Sequence, residues 1–92
     1  MATNEEKDFV VRAIRVLRNP DRSRGIHTVY SGFNQAFRKH FNREPREVTD
    51  EMAQAGEIVV RPARGGVMLY LAGEAPEYHD VGEEALRKIL GE

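Results

Sequence analysis

The sequence predicts an α+β domain in which three helices precede a β-hairpin and a fourth helix follows. Three observations carry that expectation. Apolar residues recur at helical spacing in three segments before residue 56. Two β-rich runs, 58–61 and 67–71, flank a Gly-Gly tip. A last amphipathic stretch spans 81–90. At 92 residues the chain fits one domain, with a core over 5–72 and an extension over 73–92.

The first helix is expected over 5–18. Val10, Ala13, Ile14 and Leu17 fall at i, i+3, i+4 and i+7, and Phe9 and Val16 widen the stripe. Acids sit in its first turn, and Arg15 and Arg18 sit in its last, as the helix dipole favours. Asn19-Pro20 stops it, because the residue before proline is driven out of the helical region. After a polar loop over 21–25, the β-branched and aromatic run Ile26-His27-Thr28-Val29-Tyr30 suggests a short strand. Ser31 reads as an N-cap for a second helix over 32–42. Phe33, Ala36, Phe37, His40 and Phe41 form its inner stripe, and Gln35, Arg38, Lys39 and Asn42 point outward.

Asn42-Arg43-Glu44-Pro45 is a turn, and proline suits the opening of a third helix over 46–55. Val48, Met52 and Ala55 form its inner stripe, Glu47, Asp50, Glu51 and Gln54 its outer face, and Gly56 its stop. Pro62-Ala63-Arg64-Gly65-Gly66 supplies the hairpin turn. Asp80 and Glu83 have capping-box spacing, and Ala85, Leu86, Ile89 and Leu90 make one apolar stripe before Gly91.

Composition excludes several classes of function. With no cysteine there are no disulfides, no thiolate metal sites and no thiol catalysis. No apolar run approaches the roughly 20 residues of a membrane span, so no membrane partner is expected. The acidic start, without an apolar stretch, is not that of a signal peptide, and a soluble cytoplasmic protein is the expectation. His27, His40 and His79 lie too far apart for a metal-ligand pattern; a partly buried His40 on the phenylalanine face is the simpler reading. Ser31 and His27 form no catalytic pair, and Gly65-Gly66 lacks the lysine of a phosphate loop. The chain therefore reads as a non-enzyme without a cofactor.

The near-neutral total charge hides a split. Residues 9–46 carry nine basic side chains against two acids, and residues 47–92 carry four against ten. Local potential, rather than total charge, steers a polyanion. Solvated faces paired with acids elsewhere in the domain account for the same split.

The order helix, short strand, helix, tight turn, helix, strand, glycine tip, strand resembles the winged helix-turn-helix superfamily. The carrying residues are the helix pair around Asn42-Arg43-Glu44-Pro45 and the stretch AQAGEIVVRPARGGVMLYL, together covering about 5–72. The resemblance implies a three-helix bundle with a two- to three-stranded antiparallel wing plus the C-terminal helix. It also implies duplex DNA as partner, with the third helix in the major groove and the wing on the backbone. Carried onto this chain, Arg46, Glu47, Asp50, Glu51 and Gln54 would face the groove, and Arg61 and Arg64 would lie on the wing. Arg43 would add a phosphate contact beside the third helix, and Arg38 and Lys39 contacts from the second, although a solvated outer face explains that pair more simply. Arg18, Arg22 and Arg24 form a denser patch, suited to phosphate or to an acidic partner.

Three acids on the outer face of the third helix depart from the pattern, since carboxylates are repelled by phosphates. They support the rival expectation of a protein-interaction module on the same scaffold, with no DNA contact. The C-terminal helix either packs on the first helix or pairs with its twin in a homodimer. Intrachain packing is favoured, because so short a helix is marginal without an apolar surface.

Overall fold

A computed structural model describes residues 1–76 and 81–91. Its described residues form four helices and a three-stranded antiparallel sheet, in the order α1 (Asn4–Leu17), β1 (Ile26–His27), α2 (Phe33–Phe41), α3 (Pro45–Gln54), β2 (Ile58–Ala63), β3 (Gly66–Leu71) and α4 (Val81–Ile89). Among them no helix is long and apolar enough to cross a membrane. The expected cap at Asp80 lies outside the described residues.

α1 starts on a device that its acidic opening does not by itself reveal. Thr3 is the N-cap: its hydroxyl accepts from the Glu6 N–H at 3.1 Å, and the Glu6 carboxylate accepts from the Thr3 N–H at 2.8 Å. This reciprocal pair is the T-x-x-E capping box. Val10 and Ile14 are fully buried, while Val16 and Leu17, expected on the inner stripe, stay 69% and 43% exposed. α2 buries Phe33 and Phe37 completely, and Phe41 is half-buried. Phe9 of α1 lies among them, with ring centroids 5.8 Å from Phe37 and 5.2 Å from Phe41, both edge-on. Such pairs add to the burial itself. Ala36 faces solvent rather than the core, and so does His40. The His40 ring is instead stacked flat on Phe9 at 5.4 Å. α3 buries Pro45, Val48, Thr49 and Met52, and Ala55 is exposed at its C-cap.

The strand expected over 26–30 is cut to two residues, and the His27 ring is the cause. Its Nδ1 accepts from the Val29 and Tyr30 N–H groups, each at 3.1 Å, and the Ser31 N–H bonds back to the His27 carbonyl. Those backbone donors bend the chain into a turn instead of extending a ladder. Ser31 is not the N-cap. Gly32 takes that place at φ 85°, a left-handed conformation natural to glycine, and the Ser31 hydroxyl accepts from the Phe33 N–H at 3.3 Å.

β3 is the central strand, with β1 and β2 on its two sides. The register pairs Ile58 with Leu71 and Ala63 with Gly66, so the hairpin runs longer than the β-rich runs suggest and turns on Arg64-Gly65 alone. Pro62 is accommodated because β2 is an edge strand, where a missing N–H removes little. Ile26, Ile58 and Leu69 complete the core beneath the helices. Gly25 marks a close approach: a Cβ there would lie 2.7 Å from the Leu69 carbonyl and 2.5 Å from the buried Tyr70 ring.

Three predictions follow from these packings. Gly25→Ala should cost about 1–3 kcal/mol in urea unfolding, since neither the Leu69 backbone nor the buried Tyr70 ring can retreat freely. The second concerns Glu6, whose carboxyl is held below its ordinary value of 4.5, first by the Thr3 backbone hydrogen bond and then by the Thr3 side chain and Arg43, against the opposing effect of burial. A carboxyl depressed in the folded state contributes stability that is present above its unfolded value and lost as pH falls through its folded value. Melting temperature should therefore drop as pH falls below about 4.5, and Glu6→Gln should flatten that slope while lowering the melting temperature at neutral pH. Thr3→Ala should cost about 1 kcal/mol at neutral pH.

Candidate functional site

A groove of about 550 Å³ runs between the α2–α3 helix pair and the hairpin. Arg38 and Arg46 stand on its helical side with Asn34 and Thr49; Thr28 and Val67 stand on its strand side. The backbone fixes this arrangement at both ends. Thr28 extends β1 toward β3, its N–H bonding to the Val67 carbonyl at 2.9 Å, and the Asn34 N–H bonds to the Thr28 carbonyl at 2.9 Å. The first turn of α2 is thereby tied to the sheet.

The hairpin tip is clamped by the same histidine that shortens β1. Two N–H groups donate to His27 Nδ1, so its ring proton sits on Nε2, which donates to the Arg64 carbonyl at 2.9 Å. Tyr30 stacks on the His27 ring at 4.0 Å and is 73% exposed. Gly65 has φ 81°, and a Cβ there would meet the Tyr30 hydroxyl at 2.6 Å. Positive φ at the second turn position only is outside the I′ and II′ turn types. The clamp holds the Arg64 backbone while its side chain remains exposed.

The basic residues expected at a DNA contact, and Gln54 with them, have different surroundings. Arg38 and Arg46 share the groove. Arg38 makes a two-pronged ion pair with Glu44, with Nε 3.0 Å and Nη2 3.1 Å from its carboxylate oxygens. Arg46, with an 88% accessible side chain, is 3.6 Å from Asp50 one turn on. Arg43 turns away from the groove to α1. Its Nη1 donates to both Glu6 oxygens at 2.9 and 3.0 Å, and its Nη2 donates to Glu47 at 3.0 Å. Glu47 first, and Glu6 after it, push its pKa up against the opposing effect of burial. Lys39 and Gln54 are exposed on α2 and α3. Arg61 is half-buried in β2 and engaged within the fold. Arg64 stands at the tip.

The residues that sequence reasoning missed are His27 and Tyr30 at the clamp and Glu6 behind Arg43. The capping-box spacing of Thr3 and Glu6 was a readable signal for Glu6. His27 had none, since its three partners are backbone groups. Among the described residues no three His, Asp or Glu side chains gather as a metal site. Chemically the groove offers two guanidinium groups, each against an exposed carboxylate, beside neutral hydroxyl and amide groups. Comparison with protein-family models, with curated proteins and with solved structures finds no match to this chain.

Proposed function

We propose that this chain is a winged-helix protein that binds duplex DNA mainly through the phosphate backbone, as a regulator of transcription would. The groove lined by Arg38 and Arg46, beside a hairpin whose tip carries the exposed Arg64, is the observation that carries the reading. The order of elements supports it too, with a short first strand joined to the hairpin across β3.

The objection is charge. Arg38 and Arg46 already have carboxylate partners, and Glu47 and Asp50 remain exposed on α3. Magnitude answers it for two of the arginines. An exposed ion pair contributes about 0–1 kcal/mol, less than a phosphate contact gains when counterions leave at low salt. Arg38 and Arg46 can therefore exchange a carboxylate for a phosphate at little cost. Arg43 cannot, because leaving would strand the buried Glu6 carboxylate. Base reading by α3 is weak in this scheme, since its exposed polar face is Glu47, Asp50 and Gln54.

A second reading has its own support: Arg38, Arg43 and Arg46 are each paired with a carboxylate, which reduces the positive charge beside α3. On that reading the acidic face of α3 docks a basic protein partner, without DNA.

Anisotropy titration of a labelled random-sequence duplex tests both. Binding should appear at about 50 mM salt with a log–log salt slope near −3, for three phosphates. Arg46→Ala with Arg64→Ala should weaken all sequences alike and remove about 2 from that slope. Asp50→Asn should tighten DNA binding by freeing Arg46. Absence of binding to any duplex at low salt overturns the DNA reading. Loss of a captured basic partner on Asp50→Asn would then favour the second.

A further inference from the structure

Among the described residues two apolar faces are left uncovered, and they complement each other. One is a groove of about 250 Å³ between α1 and α2, lined by Phe9, Ala13, Val16, Leu17, Ala36 and the stem of Arg12. The other is the stripe of α4 and the residue after it, where Leu86, Ile89 and Leu90 are 53%, 79% and 63% exposed. Since Val16 and Leu17 remain exposed, α4 does not cover the groove of its own chain.

The root of the tail is fixed. The Glu74 N–H bonds to the Leu71 carbonyl at 3.0 Å, and the Glu74 carboxylate pairs with Arg18 at 2.8 Å. From that root α4 stands with its stripe in solvent. An isolated helix of nine residues is marginal in water, so its stripe needs a surface. Charge sets the direction. α1 is acidic at its start, with exposed Glu5 and Asp8, and basic further on, with exposed Arg12 and Arg15. By sequence α4 has the same polarity, acidic in its first half and with Arg87 and Lys88 in its last turn. Only an antiparallel arrangement sets each acidic end against a basic one, and it also opposes the two helix dipoles.

We infer that α4 of a second copy of this chain lies antiparallel in the α1–α2 groove, and that the two copies exchange these helices about a two-fold axis. Both halves of the contact belong to one sequence, so a two-fold pair covers both grooves and both helices at once. This arrangement differs from a pairing of the two C-terminal helices with each other, because each helix meets a groove rather than its twin.

Sedimentation velocity on the full chain is the test. The wild type should run at twice the monomer mass at high micromolar concentration. Leu86→Glu with Ile89→Glu should give a monomer, and so should Val16→Glu with Leu17→Glu. All four side chains are exposed, and an unchanged thermal melt of each variant would show that the body still folds. Mixing the two monomeric variants should restore a dimer, because one carries an intact groove and the other an intact helix. A wild type that stays monomeric at every concentration overturns the inference, with or without protection of α4 amides. So does a dimer that survives the groove substitutions, or a mixture that stays monomeric.

Discussion

One guanidinium holds this small domain in register. Arg43 sits in the turn between α2 and α3 and reaches α1, where it meets a Glu6 carboxylate that is nearly inaccessible to solvent. The carboxylate is then satisfied on both sides, by Arg43 and by the Thr3 N–H. A buried pair of this kind adds little net stability over an apolar equivalent, but losing one partner leaves an uncompensated charge and is costly. The pair therefore matters most through what its loss would cost. With Glu6 fixed against the turn, Phe9, one turn further along α1, meets Phe37 and Phe41 of α2. The Ala2 N–H reaches the Glu51 carboxylate of α3 from the same end of α1. The three helices share an origin at this point, and the groove between α3 and the hairpin inherits its shape from them.

The same interaction shows why a charge count along the chain is a poor guide to a field around it. The sequence divides into a basic first half and an acidic second half. In space the division is partly cancelled. Arg43 pairs with Glu6 and Glu47, Arg18 with Glu74, Arg46 with Asp50, and Lys7 with Glu57 and Glu51. Most of these join one side of the split to the other. Arg12, Arg15, Arg22, Arg24 and Lys39 remain exposed on α1, its following loop and α2. Much of the exposed positive charge thus lies on α1, the loop after it and α2, with Arg46 on α3 itself.

What could be read from the sequence follows the range of the forces involved. Helical spacing gave α1, α2 and α3 to within a residue or two, because burial of one face is a local, periodic requirement. The hairpin was legible from its β-rich runs, although its turn is shorter than the glycine-rich stretch implied. Errors arose where a single side chain overrides the backbone trend. Val29 and Tyr30 have strand chemistry, yet the His27 ring captures their N–H groups and turns the chain. Ser31 has cap chemistry, yet Gly32 alone accepts φ 85° at that point. His40 has helical spacing with the phenylalanines, yet it stacks on Phe9 from the solvent side. The Glu6–Arg43 pair spans 37 residues and leaves no mark on any local window. For the same reason the sequence could nominate Arg38, Arg43 and Arg46 together but not separate them.

That separation sets a hierarchy among the arginines. On α3 and the turn before it, Arg43 and Glu47, and Arg46 and Asp50, are each spaced i, i+4 with the base first. This is the less favourable orientation against the helix dipole, and exposed pairs of this spacing contribute about 0.3–0.5 kcal/mol. At 3.6 Å the Arg46–Asp50 contact is long even for its class. An anion arriving at the groove therefore competes with a weak partner at Arg46, with a two-pronged but exposed partner at Arg38, and with a buried one at Arg43. The order in which these groups yield follows from burial rather than from distance along the chain. Any ligand of the groove that carries negative charge should engage Arg46 first and leave Arg43 in place, because releasing Arg43 would leave the buried Glu6 carboxylate without its cation.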